Sequence, residues 1–218
     1  MTGKTHLAGG VAAAALLQAA YLVPELSPYV PSGMMTLQGL VMPVVVPGTV
    51  VACIAALLPD IDEPQSLISN SPNALRKKLG KGRKPAERAA RQSAGLVLRA
   101  ANVLTRGLAW LVRIIAGGHR AATHVLLIAA VLTAGAWFLG RAIGFPSLWM
   151  WFAAGYMSHL VLDMMTPSGL ALFWPLSQSD WHLLPSFMRV QTGGGADAAV
   201  RVVLLAGAAV LVAWTYGG

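Results

Sequence analysis

Five long apolar stretches constrain this chain more than any other feature of its sequence. A helix needs about 20 mainly apolar residues to cross the hydrocarbon core of a bilayer. The stretches approach that length, and they run over residues 7–23, 37–58, 124–142, 145–162 and 200–216. We therefore predict an all-α fold, a polytopic helical membrane protein with about five transmembrane helices, folded as a single membrane-embedded domain over residues 1–218.

The composition supports this class. Charged residues make up 11% of the chain and hydrophobic residues 56%, whereas soluble domains carry about 25% charged residues. Such a balance argues against an ordinary soluble enzyme. It argues equally against intrinsic disorder, which requires low hydrophobicity and high charge.

The net charge of +8 is concentrated in one segment. Between Arg76 and Arg91 the chain has eight basic residues and one acidic residue. Lysine and arginine collect in short cytoplasmic loops of membrane proteins, so we interpret residues 59–92 as a basic cytoplasmic loop. Binding of anionic membrane lipid is the alternative use of this segment. Nucleic acid is not expected as a partner.

Residues 93–116 differ from the five apolar stretches. Arg99, Arg106 and Arg113 recur every seven residues, which keeps them on one face of a helix. Apolar residues fill the other positions, as is typical of a helix that lies in the membrane interface. We predict an amphipathic interfacial helix here, because a spanning helix would bury three arginines in lipid.

The polar residues that can bind metals lie at the ends of the apolar stretches. With the basic loop in the cytoplasm and residues 93–116 in the interface, the chain topology brings all of them to the cytoplasmic membrane face. They are His6, Asp60, Asp62, His119, His124, His159 and Asp163.

This set has the chemistry of a metal site. His159 and Asp163 are four residues apart and share a helix face, and imidazole with carboxylate suits zinc, iron or manganese. Seven candidates exceed the four ligands of a tetrahedral zinc. Either some of them support the ligands by hydrogen bonds, or two ions lie about 3.5–4 Å apart. Taken singly, each residue could also be an ordinary hydrogen-bonding group at a helix end.

Several short motifs, in this order, resemble those of one family. The chain is similar to the YdjM-like family of inner-membrane metal-dependent hydrolases, also described as LexA-binding, membrane-associated hydrolases. The similar segments are Thr5-His6, Leu58-Pro59-Asp60-Ile61-Asp62, the run from His119 to His124, the run from Ser158-His159 to Asp163, Thr166-Pro167-Ser168-Gly169, and Leu172-Phe173-Trp174-Pro175. The basic loop, the interfacial helix and the region after Trp181 do not carry the resemblance.

The resemblance implies a multi-pass protein of the bacterial inner membrane with a metal-dependent hydrolase site. It implies a polar cluster of His6, Asp60, His119, His124, His159 and Asp163. The His-x-x-x-Asp helix is also similar to that of zinc-dependent phospholipases C, which implies a lipid or phosphoester substrate.

Roles for these residues follow as hypotheses. The expected metal ligands are His6, Asp60, His119, His159 and Asp163, holding one or two divalent ions, zinc before manganese or iron. Asp62 or His124 would be a further ligand or the general base, and Arg120 would hold a phosphate or oxyanion. The alternative function is a non-catalytic membrane protein that binds anionic lipid or a protein partner, with the His/Asp cluster in a structural role.

Overall fold

The computed structural model describes residues 1–37, 40–63, 66–67 and 123–217, and these residues are mostly helical. Most of the predicted basic loop (59–92) and all of the predicted interfacial helix (93–116) lie outside the described residues. The regular elements are α1 (Gly3–Ala19), β1 (Met34–Leu37), β2 (Leu40–Pro43), α2 (Val45–Ala55), α3 (Leu126–Ala142), α4 (Leu148–Met164) and α5 (Gly195–Tyr216), with a 3-10 turn at Leu58–Asp62.

The second apolar stretch does not form one continuous helix, so the all-α prediction is wrong at this place. Strands β1 and β2 form an antiparallel hairpin in which Met34 pairs with Pro43. Pro43 has no N–H to extend the ladder, and Pro47 falls in the first turn of α2, where a helix requires no backbone donor. The helix that follows has 11 residues, which is too short for a bilayer core of about 30 Å.

Membrane-spanning length is met by fewer helices than the sequence predicts. Among the described residues, Gly3–Leu22 and Gly195–Tyr216 are long and apolar enough to cross a membrane. Helix α3 is apolar but has 17 residues, and α4 also has 17. The predicted number of about five transmembrane helices is therefore not confirmed.

Glycines allow α1, α2 and α4 to pack with little space between their backbones. A Cβ atom on Gly155 in α4 would overlap the carbonyl group of Ala52 in α2. A Cβ atom on Gly10 in α1 would lie 2.9 Å from the same carbonyl oxygen. Small residues at such crossings are characteristic of helix packing in membranes. The three helices consequently meet around Ala52 in the last turns of α2, near the middle of both α1 and α4.

The chain after α4 folds back and holds the start of α3 in place. Leu170 and Trp181 form an isolated antiparallel bridge, and the backbone N–H of Leu126 donates to the carbonyl oxygen of Leu172 at 3.0 Å. The first residues of α3 therefore lie near the end of α4. This arrangement brings the residues just before α3 toward the polar residues of α4.

Candidate metal centre

Five of the predicted site residues meet at one end of the helical bundle. His6 lies in α1 rather than before the first apolar helix as predicted, because α1 begins at Gly3. Asp60 lies in the 3-10 turn after α2, His124 precedes α3, and His159 and Asp163 lie in the last two turns of α4. The three histidines and Asp163 are buried, whereas the side chain of Asp60 is 21% exposed.

Four of these side chains are arranged as a metal site requires. One ligand atom from each of Asp60, His124, His159 and Asp163 lies within 4.8 Å of all the others. The Nε2 atom of His159 is 3.7 Å from Asp60 Oδ1 and 3.5 Å from Asp163 Oδ2. The Nε2 atom of His124 is 3.5 Å and 3.6 Å from the same two oxygens. Ligand atoms bound to one tetrahedral ion at about 2.1 Å lie about 3.4 Å apart, so the group fits such an ion.

Neighbouring groups orient two of the histidine rings. Nδ1 of His159 lies 2.8 Å from the carbonyl oxygen of Ala56, and because a carbonyl only accepts, Nδ1 carries the proton and Nε2 is free to bind a metal. Nδ1 of His124 lies 3.0 Å from the hydroxyl of Thr123, which also leaves Nε2 facing the group. The hydroxyl of Tyr156 donates to the carbonyl oxygen of Thr123 and fixes that segment to α4.

The protonation states of Asp60 and His124, the two candidate ligands outside the long helices, also suit metal binding. Burial by itself raises the pKa of Asp60, but its contacts with His124 and His159 outweigh burial and lower the pKa to about 2. Burial lowers the pKa of His124 below its ordinary value. At neutral pH the carboxylate is therefore ionised and the imidazole neutral, which are the forms that bind metals.

His6 adjoins this group without belonging to it. Its ring stacks on that of His159, with centroids 3.7 Å apart and planes inclined by 15°. Its Nε2 atom is 3.2 Å from Asp163 Oδ1, the oxygen that also contacts the amino group of Met1 at 2.5 Å. Both ring nitrogens of His6 are buried, and Nδ1 has no hydrogen-bond partner among the described residues.

For three predicted site residues the structure describes no side chain. His119 and Arg120 lie outside the described residues. The backbone of Asp62 belongs to the 3-10 turn, but its side chain is outside the description. Their roles therefore stay predictions.

Three supporting groups were missed by sequence reasoning. The hydroxyl of Thr123 was detectable, because it directly precedes His124 in the motif. Tyr156 lies three residues before His159, a spacing that shares a helix face, and this signal was also present. The Ala56 carbonyl gives no signal in the sequence, since only the fold brings a backbone group of α2 to α4.

An apolar groove of about 700 Å³ lies between α3 and α4. Its walls include Leu126 and Trp137 from α3 and Trp149, Ala153 and Tyr156 from α4. Tyr156 thus contributes to both the groove and the hydrogen bond that fixes Thr123 beside His124. The groove is therefore adjacent to the buried polar group.

Comparison with known proteins identifies related sequences. The model of a family described as YdjM inner membrane protein matches residues 1–217. Two proteins named inner membrane protein YdjM, from Escherichia coli (strain K12) and Shigella flexneri, are each 28% identical over 182 residues, which cover 80% of this chain and 66% of the relative. The chain thus spans just under two thirds of the length of these relatives. No solved structure matches this chain.

Proposed function

The chain belongs to the YdjM inner membrane protein family, and from this premise we propose that it is a metal-dependent hydrolase at the cytoplasmic face of the inner membrane. The observation that carries the proposal is the buried group of Asp60, His124, His159 and Asp163, whose ligand atoms converge within 4.8 Å. Buried ionisable groups in membrane proteins are costly and usually functional. The basic loop at 59–92 supports the cytoplasmic orientation.

The four residues would hold one ion, with zinc as the first expectation and manganese or iron as alternatives. When bound, such an ion supplies Lewis acidity, which activates water and polarises the bond to be cleaved. His159 and His124 contribute Nε2 atoms whose direction is fixed by Ala56 and Thr123. Asp60 and Asp163 contribute the negative charge that offsets the charge of a divalent ion.

The exposure of the ligands indicates the side from which a substrate arrives. His124 and His159 are at most 1% exposed and Asp163 is 3% exposed, whereas the side chain of Asp60 is 21% exposed. Access to the group therefore lies past Asp60, at the end of the bundle. Asp62, as a general base, and Arg120, as a phosphate-binding group, are proposed to act on this side, with His119 as an additional ligand.

The apolar groove supports a lipid or another apolar phosphoester as the substrate. It lies between α3 and α4 and shares Tyr156 with the structure around His124. An acyl chain in this groove would place the polar part of the same lipid near the buried group. The groove walls would thus orient the substrate and exclude water from its apolar part.

The proposal is tested first by metal content. Detergent-purified protein would be analysed by elemental mass spectrometry and compared with His159→Ala and Asp60→Ala, after circular dichroism has shown that each variant is folded. We expect bound transition metal in the wild type and its loss in both variants. His182→Ala is the matched control, because His182 contacts the Pro167 carbonyl oxygen, outside the group.

The outcomes separate the two candidate functions. A wild type without metal, even after zinc, manganese and iron are added back, would overturn the hydrolase proposal. A protein that binds metal would then be assayed for release of headgroup or phosphate from defined phospholipid vesicles. Metal binding without hydrolysis of any lipid or phosphoester would favour the non-catalytic alternative.

A further inference from the structure

We propose that a polar pocket at the opposite end of the bundle from the metal group binds a neutral polyol, such as a sugar ring, through Gln18 and the hydroxyl groups around it. The pocket has a volume of about 470 Å³, within the range of about 300–1,000 Å³ of small-molecule sites. Its walls are formed by Gln18, Tyr21, Ser32, Gly33, Pro43, Val45, Thr215 and Tyr216. None of these residues belongs to the metal group, so the inference is independent of the proposed function.

The fold brings the last turns of α1 and α5 together at this pocket. The two helices begin side by side, because the Thr5 hydroxyl donates to the carbonyl oxygen of Asp197 at 3.5 Å. Further along, Ala15 of α1 and Ala208 of α5 belong to one apolar cluster, so the helices run in the same direction. Helix α1 rises about 18 Å between the metal group and Gln18. The pocket is therefore remote from the metal group.

The hairpin that interrupts the second apolar stretch forms another side of the pocket. Met34 pairs with Pro43, and the Val44 N–H donates to the Gly33 carbonyl oxygen at 3.0 Å. Gly33 has a φ of +87°, a conformation that glycine adopts more easily than other residues. The hairpin thus supplies Ser32 and Gly33 to the wall, a use that the metal group does not give it.

Gln18 is the residue that points to a ligand. It lines the pocket and is only 7% exposed, and its Oε1 atom has no hydrogen-bond partner among the described residues. Burying a polar atom without a partner is costly, and such an atom in a native protein requires an explanation. A ligand group that donates a hydrogen bond to Oε1 would remove this cost.

The hydrogen-bonding capacity of the lining selects a ligand that donates. The Thr215 hydroxyl donates to the Leu211 carbonyl oxygen at 2.7 Å, so toward the pocket its oxygen can only accept. The Oε1 atom of Gln18 also only accepts. A carboxylate or a phosphodiester has no proton to offer these atoms, and the lining has no lysine or arginine to hold an anion. Hydroxyl groups of a polyol donate to both atoms and can also bond the hydroxyls of Tyr21 and Tyr216.

Two sources can supply this chemistry. Gly3–Leu22 and Gly195–Tyr216 are long and apolar enough to span a membrane, and the pocket lies where both end, at the level expected for lipid headgroups. A glycosyl headgroup could enter it while the acyl chains of the same lipid lie along the exposed face of α5. A free sugar could enter from the aqueous side. Both would present the same hydroxyl groups to Gln18.

The test measures the binding of two probes to the wild type, Gln18→Leu and Tyr21→Ala, all purified in an amine-oxide detergent that has no sugar group. The first probe is monoglucosyl diacylglycerol in phosphatidylglycerol nanodiscs, with bound lipid counted by native mass spectrometry and diacylglycerol as the matched lipid without sugar. The second probe is radiolabelled maltose, measured by equilibrium dialysis. We expect a probe to bind the wild type and Gln18→Leu to weaken its binding about tenfold, because a ligand hydroxyl loses its acceptor.

The control variant is Gln178→Leu, which makes the same substitution at an exposed position in the segment between α4 and α5. It should bind the probes like the wild type. Leucine is close to glutamine in size and leaves no unpaired polar atom, so Gln18→Leu is expected to fold. Tyr21 is 47% exposed, and Tyr21→Ala decides the question if Gln18→Leu does not fold.

The outcomes are distinguishable. Tighter binding of the glycolipid than of maltose would identify a lipid headgroup as the ligand, and the reverse would identify a free sugar. Binding of neither probe to the wild type would overturn the inference. Equal affinity of the wild type and the folded pocket variants would also overturn it, as would displacement of either probe by inorganic phosphate. None of these measurements reads metal content, so the two proposals fail separately.

Discussion

Helices α1 and α5 are both long and apolar and pack against each other, yet they are buried to very different extents. Ten of the 17 residues of α1 are buried, whereas two of the 22 residues of α5 are buried. Helix α1 packs against α2, α4 and α5 and carries His6 into the polar group. Helix α5 leaves large apolar side chains exposed, among them Val203, Val210 and Trp214. Hydropathy alone therefore does not distinguish a helix that builds the site from one that leaves most of its side chains exposed.

Residue size separates the two helices where hydropathy does not. The buried positions of α1 are mostly alanine and glycine, and small residues allow close approach between helices in a membrane. The large exposed side chains of α5 are valine, leucine, tryptophan and tyrosine, which fit a lipid environment as well as a protein one. Substitutions near the site should therefore be costly, whereas equivalent substitutions in α5 should not. Each of the following variants tests this contrast with a partner in α5.

The largest difference is expected between two buried aspartates. Asp163→Asn removes the charge that faces His6, His124 and His159, and breaking a buried ionic group costs about 3–5 kcal/mol. Asp197→Asn, in the first turn of α5, keeps an oxygen that can accept the Gly193 N–H, now at 3.2 Å. Its cost should be about 1 kcal/mol. Denaturant unfolding in detergent measures both, and equal losses would contradict the contrast.

A steric test compares two glycines. Gly155→Leu forces a side chain into the Ala52 carbonyl, and overpacking of this kind costs about 1–3 kcal/mol. The same change should separate α2 from α4 and weaken the bond between His159 and the Ala56 carbonyl. A Cβ atom on Gly207 in α5 would meet nothing within 4 Å, so Gly207→Leu should unfold like the wild type. A tolerated leucine at position 155 would show that the helices are not in close contact.

A third comparison concerns two threonine hydroxyls. Thr123→Val removes the partner of His124 Nδ1, and loss of such a supporting hydrogen bond typically weakens metal binding by about 10–100-fold. Thr215 in α5 bonds the Leu211 carbonyl oxygen at 2.7 Å, so Thr215→Val should leave metal affinity unchanged. Competition with a coloured chelator measures the dissociation constants. Identical metal dissociation constants for the two variants would show that Thr123 does not support the metal site.

The smallest effect is expected for the tyrosine hydroxyls. Tyr156→Phe deletes the bond to the Thr123 carbonyl oxygen, which should cost about 0.5–1.5 kcal/mol of unfolding free energy. Tyr216, at the end of α5, is 59% exposed, and Tyr216→Phe should be neutral. Thermal unfolding of the two variants, measured in the same detergent, provides the comparison. A neutral Tyr156→Phe would mean that the segment before α3 is held by other contacts.

The sequence predicts the helical class and the candidate ligands better than it predicts the path of the chain. The spacing of His159 and Asp163 is sufficient to place both on one face of α4, because that relation is local. The hairpin at β1 and β2 was missed because a short apolar run rich in valine and methionine fits a strand or a helix equally well.

Long-range relations explain the rest of what sequence reasoning missed. The contact between His159 and the Ala56 carbonyl depends on how Gly155 packs against α2, and the stacking of His6 on His159 depends on where α1 crosses α4. Neither relation leaves a pattern at a fixed spacing in the chain. Burial of His6 inside α1 was missed for a simpler reason, since the helix begins at Gly3, before the apolar stretch that starts at Leu7.

The four-residue group has a consequence for biogenesis. Its members come from the turn after α2, the segment before α3 and the last turns of α4, so Asp60 and Asp163 are separated by about half of the chain. Insertion of a growing chain proceeds from its first helix onward. The protein therefore does not bring these four residues together until α4 has formed and docked against the earlier helices. An ion captured at that moment would stabilise only correctly assembled chains, and cellular metal supply would then influence how much of the protein survives quality control.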